Sequence, residues 1–144
     1  MTVRRLLLIV LVLGLLLAAC GRRPYVAPDD LTGYYISVPE QDYIYRFLGV
    51  SVTEDPTSLD PQFHDAAIFA LNEAEHACTR FAAGEGAGLA NELEADIAAE
   101  SRSAALRLER FEAAVELLCP KLDDELRAFY ADHADVVTRA RLDA

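Results

Sequence analysis

Two cysteines constrain this chain more than any other residues, because each falls on the apolar stripe of a helix-forming stretch. Wound at 100° per residue, Ala67, Leu71, Ala74, Cys78 and Phe81 fall within one narrow arc. Leu108, Phe111, Val115, Leu118, Cys119 and Leu122 share a second arc. Both thiols are therefore expected to face a common core, as an interhelical bridge requires. The stretch richest in β-favouring residues, Leu31 to Val38, has no clear partner strand. An isolated strand gains little, so this stretch reads as extended chain packed on a helical domain.

Whether the thiols bridge depends on the compartment. Arg4 and Arg5 precede an apolar run from Leu6 to Leu17, and the small residues Ala18 and Ala19 lead into Cys20. A membrane-spanning helix needs about 20 apolar residues. This run is shorter and positively flanked, so it reads as a secretory signal peptide. Its last four residues, Leu17-Ala18-Ala19-Cys20, resemble the bacterial lipoprotein box. That resemblance implies cleavage before Cys20 and palmitate-type acyl chains attached to it, a covalent lipid and no other cofactor. Two or more chains anchor a protein stably to a membrane. The expected location is extracytoplasmic and lipid-anchored. Gly21 stands where an Asp would imply inner-membrane retention, so the outer membrane is implied if the source is Gram-negative. An ordinary cleaved signal with an incidental cysteine, or an uncleaved membrane helix, are the alternatives. With Cys20 taken by lipid, Cys78 and Cys119 form an even pair in an oxidising compartment and are expected to be bridged. A loop of that length adds roughly 4 kcal/mol on the chain-entropy model. The alternative is two buried free thiols acting as small hydrophobes.

Once residues 1–19 are removed, the remaining chain suffices for one domain and not two. The leader carries two of the 13 basic residues and none of the 24 acids, so the formal charge of −11 becomes −13 without it. A nucleic-acid binder should show a basic patch. The one basic pair, Arg22-Arg23, stands beside the anchor, where it would meet anionic headgroups. Nucleic acid is excluded as a partner, and a basic envelope protein is favoured.

Gly21 to Asp30 holds prolines and charges without periodicity and reads as a tether. Ser37-Val38-Pro39-Glu40 fits a capping box, with Pro in the first turn. The helix it opens carries Tyr43, Ile44, Phe47 and Leu48 on one stripe and stops at Gly49. Asp55-Pro56 and Asp60-Pro61 set turns, and Asp60 caps the helix bearing Cys78. Gly84-Glu85-Gly86-Ala87-Gly88 reads as a flexible connection between helices. Leu89, Leu93 and Ile97 begin the next helix, which breaks near Ser101 or continues. Pro120 forces a kink or a restart, and Asp123, Asp124 and Glu125 suit a new first turn. One last helix then shows Leu122, Leu126, Phe129, Val136 and Ala140 on a single face, which His133 shares as a packing residue. The expected fold is mainly α: four to five amphipathic helices closed by one disulfide, after a signal peptide and short tether. The expected divisions are residues 1–19 as the removed signal peptide, 20–36 as lipidated cysteine and tether, and 37–144 as the helical domain.

Three short motifs between Asp42 and Pro120 resemble the DUF732 family of small secreted actinobacterial proteins of unknown function. They are Phe47-Leu48-Gly49-Val50, Cys78-Thr79-Arg80-Phe81-Ala82-Ala83-Gly84 and Leu118-Cys119-Pro120. The resemblance implies a small helical domain closed by a Cys78–Cys119 disulfide, and it implies no activity.

Catalytic and metal signatures are missing from the sequence. There is no C-x-x-C, H-E-x-x-H, G-x-S-x-G or EF-hand loop. The Gly84–Gly88 run follows a helix and has the wrong spacing for a dinucleotide fingerprint. His76 and Cys78 fall on different helix faces and cannot share one zinc ion. Glu92 with Asp96, and Glu112 with Glu116, could hold a cation weakly but read as solvated faces. A nucleophile with a base is conceivable only by distant assembly, as with His64 or His133 and a serine. No catalytic and no metal-binding residue is therefore assigned. The expected function is a non-catalytic envelope lipoprotein, a membrane-tethered interaction or structural module with an acidic surface. The alternatives are a lipoprotein that binds or senses a small ligand or cation and, behind it, a cell-wall enzyme.

Overall fold

The computed structural model describes residues 24–99 and 102–142; Cys20 and the whole leader lie outside the described residues. Within them are six α-helices and no strand, one helix more than expected at the upper bound. No helix among the described residues is long and apolar enough to cross a membrane.

Helix α1 (Val38–Leu48) begins as its capping box requires. The Glu40 carboxylate accepts the Ser37 N–H at 2.8 Å and the Ser37 hydroxyl at 2.7 Å. Gly49 ends the helix at φ +66°, donating its N–H to the Tyr45 carbonyl. That left-handed conformation suits glycine. Tyr43 and Ile44 are fully buried. Asp55 and Asp60 each cap a single 3-10 turn, Pro56–Ser58 and Pro61–Phe63, by accepting the N–H of Thr57 and Gln62. The second turn runs directly into α2 (His64–Ala82). All five residues of the first sequence arc, Cys78 included, are buried on α2.

Helix α3 (Gly86–Ala98) starts inside the glycine run. Only Gly84 there has a positive φ, +72°, and Gly86 and Gly88 belong to the first turn of α3. A first helical turn donates few backbone bonds inside its own helix, so glycine is tolerated there. Packing also favours small residues at both places. A Cβ on Gly86 would lie 3.4 Å from the Phe129 ring, and one on Gly88 would run into the Arg80 guanidinium. The connection is therefore shorter than the glycine content suggested.

Helix α4 (Ser103–Ala113) continues into a π-helical turn, Ala114–Leu118, in which the Cys119 N–H reaches the Ala114 carbonyl five residues back. Pro120 can neither donate to nor fit against the preceding turn, and the chain restarts through a 3-10 turn, Pro120–Leu122. Helix α5 (Asp123–Asp132) follows, with Asp123, Asp124 and Glu125 in its first turn, where acids are favoured. The single last helix of the sequence reading is two. His133 leaves helical geometry at φ −126°, ψ 32°, and α6 (Ala134–Leu142) begins after it. The break rotates the buried face, so that Val137 is buried and Val136 only partly so.

Cys78 and Cys119 form a disulfide with their Cα atoms 6.1 Å apart, joining α2 to the end of the π-helical turn. In the core, Phe81 from α2 meets Phe111 from α4 and Phe129 from α5 edge-on, with centroids 6.4 and 5.6 Å away. Helix α2 is central and packs against α1, α3, α4 and α5. Helix α1 packs on α2 and the π-helical turn, whereas α6 packs on α3, α4 and α5.

Candidate functional site

The most organised polar cluster lies where the chain enters the domain. From Tyr25 the segment expected to run free as a tether instead lies against α1 and α2. The Tyr25 hydroxyl donates to Glu40 Oε1 at 2.7 Å, and the Tyr34 hydroxyl donates to the same oxygen at 2.6 Å. The Ala27 N–H donates to Glu75 Oε2 of α2 at 2.9 Å. Leu31 and Ile36 of the same strap segment are buried, and the Ile36 N–H reaches the Glu54 carbonyl.

Glu40 is 2% exposed and is the one buried charged or polar residue among the described residues. A buried carboxylate is costly unless hydrogen bonds surround it. Here each oxygen takes two donors: two phenols on Oε1, and the Ser37 N–H and hydroxyl on Oε2. Burial first, and the Glu40 carboxylate second, push both phenol pKa values up, that of Tyr34 to about 12. The phenols thus stay protonated donors throughout the neutral range. A carboxylate already filled by four donors is poorly placed to bind a metal or take a proton from a substrate. The cluster is a clasp that holds the strap to α1.

Exposed apolar residues adjoin the clasp residues along the chain. Val26 follows Tyr25, Tyr35 follows Tyr34, and Val38 follows Ser37; these three are 68%, 68% and 64% exposed. Tyr45, also exposed, stands seven residues after Val38 and so on the same face of α1. Asp29, Asp42 and Glu54 are exposed in the same region of the chain.

The histidines are not brought together. His64 Nε2 lies 3.1 Å from the Leu59 carbonyl, and His76 Nε2 lies 2.9 Å from Glu92 Oε1. His133 is partly buried and packs on the Phe129 ring at 5.3 Å. It also lines a half-open cleft of about 270 Å³ with Phe81, Gly86, Glu125, Phe129 and Asp132. Among the described residues no group of three or more His, Cys, Asp or Glu side chains is arranged to hold a metal.

Arginines occupy the acidic pairs: Glu92, Asp96 and Glu112 are partly covered, whereas Glu116 is exposed as the sequence suggests. Arg107 bonds Asp96 at 2.6 Å and approaches Glu92 and Glu73 at 3.6 and 3.8 Å. Glu112 accepts from Tyr130 and Arg141, and Glu116 pairs with Arg46 at 3.0 Å. Arg110 approaches Glu73 while its guanidinium stands 5.8 Å from the ring centroids of Phe47 and Phe69. These pairs stitch neighbouring helices together.

Of the sequence-assigned residues, Cys78 and Cys119 are joined as expected, and Cys20 falls outside the described residues. In the sequence Glu40 is legible only as part of a helix cap. Its bond to Tyr25 reaches across a sequence separation of 15, mostly irregular chain, which no local pattern reports. No protein-family model matches the chain, and no curated protein or solved structure matches it significantly.

Proposed function

We propose that this chain is a non-catalytic envelope lipoprotein that holds a rigid acidic helical domain close to a membrane and presents it to a basic protein. The observation that carries this reading is the strap. A domain meant to roam on its anchor gains nothing from binding its own entering chain, whereas here Glu40 and Glu75 fasten that chain at Tyr25 and Ala27. The lipoprotein box at Cys20 lies only five residues before Tyr25. Charge supports the choice of partner: Asp124 and Asp132 on α5 are exposed and lie outside the arginine-paired network described above. Crosslinking in cells of the native lipoprotein, with an anchor-matched control, tests the reading. A single reproducible basic partner, captured less well by the Asp124→Asn/Asp132→Asn variant and at high salt, is expected. Capture indifferent to both salt and charge would contradict it.

The cleft at His133 favours a second reading, a sensor of a small organic cation. Its aromatic floor and the Asp132 carboxylate offer the contacts such a ligand uses. A ligand at 100 times its dissociation constant would add about 2.7 kcal/mol to stability. No thermal shift across a panel of amines would remove this reading.

A further inference from the structure

We infer that the strap is a two-stage tether. Its first half, Tyr25 to Asp30, is a reversible latch that lets the domain out from the membrane under load, while its second half, Leu31 to Ile36, stays fixed. The inference rests on the proposed lipid anchor at Cys20 and adds how far that anchor lets the domain stand off. With the latch closed, five residues separate Cys20 from Tyr25, a reach of at most about 18 Å. With it open, the first fixed residue is Leu31, eleven residues from Cys20, and the reach becomes at most about 40 Å. Arg22-Arg23 lies on the anchor side of the latch, so its attraction to anionic headgroups is kept in both states.

The two halves are fastened differently. Two hydrogen bonds hold the first half to the helices, Tyr25 to Glu40 and Ala27 to Glu75. Tyr25 is partly buried, Ala27 is buried, and Val26, Asp29 and Asp30 are exposed. The second half is built into the core. Leu31 and Ile36 are 2% and 0% exposed, the Tyr34 hydroxyl reaches Glu40, and the Ile36 N–H reaches the Glu54 carbonyl. A turn marks the boundary: the Thr32 N–H donates to the Asp30 carboxylate, and the Tyr34 N–H to the Leu31 carbonyl. Opening the first half strands no buried charge. Glu40 keeps the Tyr34 hydroxyl and both Ser37 donors. Glu75 is partly exposed, so water replaces the Ala27 N–H. A broken hydrogen bond costs most where it leaves a buried partner unsatisfied, so this half opens readily and recloses. Load from the anchor enters at Pro24, reaches the Tyr25 bond first and the Ala27 bond second, and peels them one at a time. Releasing the second half requires Leu31 and Ile36 to leave the core.

Constant-force optical tweezers test this on the chain from Cys20 to Ala144, with one handle on the Cys20 thiol in place of the acyl chains and the other at the C-terminus. Below the load that unfolds the helices, the chain should hop reversibly between two lengths at most about 20 Å apart, the reach of six residues. Tyr25→Phe should shift the closed-to-open ratio at fixed load about fivefold to thirtyfold toward open. Gly84→Ala, which alters a turn outside the strap, should leave that ratio unchanged. A chain with no hop before it unfolds overturns the inference. So does a hop that Tyr25→Phe leaves unaltered, one that Gly84→Ala shifts as much, or one of about 40 Å, which takes the whole strap away at once. None of these results depends on lipid. Absence of acyl mass on the native protein is a separate outcome, which removes the anchor, and with it the stand-off, whatever the latch does.

Discussion

Replacing Tyr25 by Phe removes one hydroxyl from the clasp and nothing from its packing. The lost bond is 2.7 Å long and ends on a buried carboxylate. Hydrogen bonds to charged groups contribute about 1.5–3 kcal/mol. Tyr25 is partly exposed, so water can replace some of what is lost, which brings the cost down to about 1–2 kcal/mol, at or below the lower end of that range. Glu40 keeps three donors, so the domain itself should remain folded. The loss falls on the strap, which opens as a local unit. The Ala27 amide reports that opening, because its N–H is held by Glu75 Oε2. Its hydrogen exchange should accelerate about fivefold to thirtyfold in Tyr25→Phe, the equivalent of that energy. Amides in the centre of α2 should change less. An Ala27 amide that exchanges at the wild-type rate would refute the clasp as the fastening of the strap. An equal acceleration throughout α2 would refute the strap as a separate unit.

Removing the disulfide as Cys78→Ala/Cys119→Ala opens a loop with a sequence separation of 41 and should lower urea-measured stability by about 4 kcal/mol; a loss below about 1 kcal/mol would contradict its role. Gly84→Ala should cost about 1 kcal/mol, entirely from the backbone, because φ is +72° and an added Cβ meets nothing within 4 Å. An unchanged melting temperature would show that this turn relaxes freely. Burial raises the phenol pKa values of Tyr25, Tyr34, Tyr43 and Tyr130 in the folded state. Their contribution is therefore whole below the unfolded value of about 10 and is lost as pH rises further, through about 12 for Tyr34. Urea midpoints should fall steeply across that interval, and a flat profile would count against buried phenols.

What was legible in the sequence was local or periodic. Ser37 and Glu40 marked the start of α1, Gly49 its end, and Pro120 the restart before α5, because each acts through backbone geometry within a few residues. The cysteine arcs were legible because helical spacing places side chains on one face before any partner is known. The other local signals occupy structural posts of this kind: a C-cap at Gly49, a disulfide half and a left-handed turn from Cys78 to Gly84, and the second half at Cys119-Pro120. The break at His133 was not legible, since no proline or glycine announces it. The closeness of α3 to α5 was hidden because glycines suggest freedom until a ring such as Phe129 is seen against them. The clasp was hidden for the same reason as the arginine ladder. Both consist of side chains from elements far apart in the chain, and only the finished packing sets their distances.

Presentation of the domain at a membrane depends on the proposed lipid anchor. Intact mass spectrometry of the protein extracted from its native membranes tests it most directly. The expected product is a chain that begins at Cys20, carries at least two acyl chains and loses them in Cys20→Ser. A chain that begins elsewhere without acyl mass, or one that keeps residues 1–19, would contradict it.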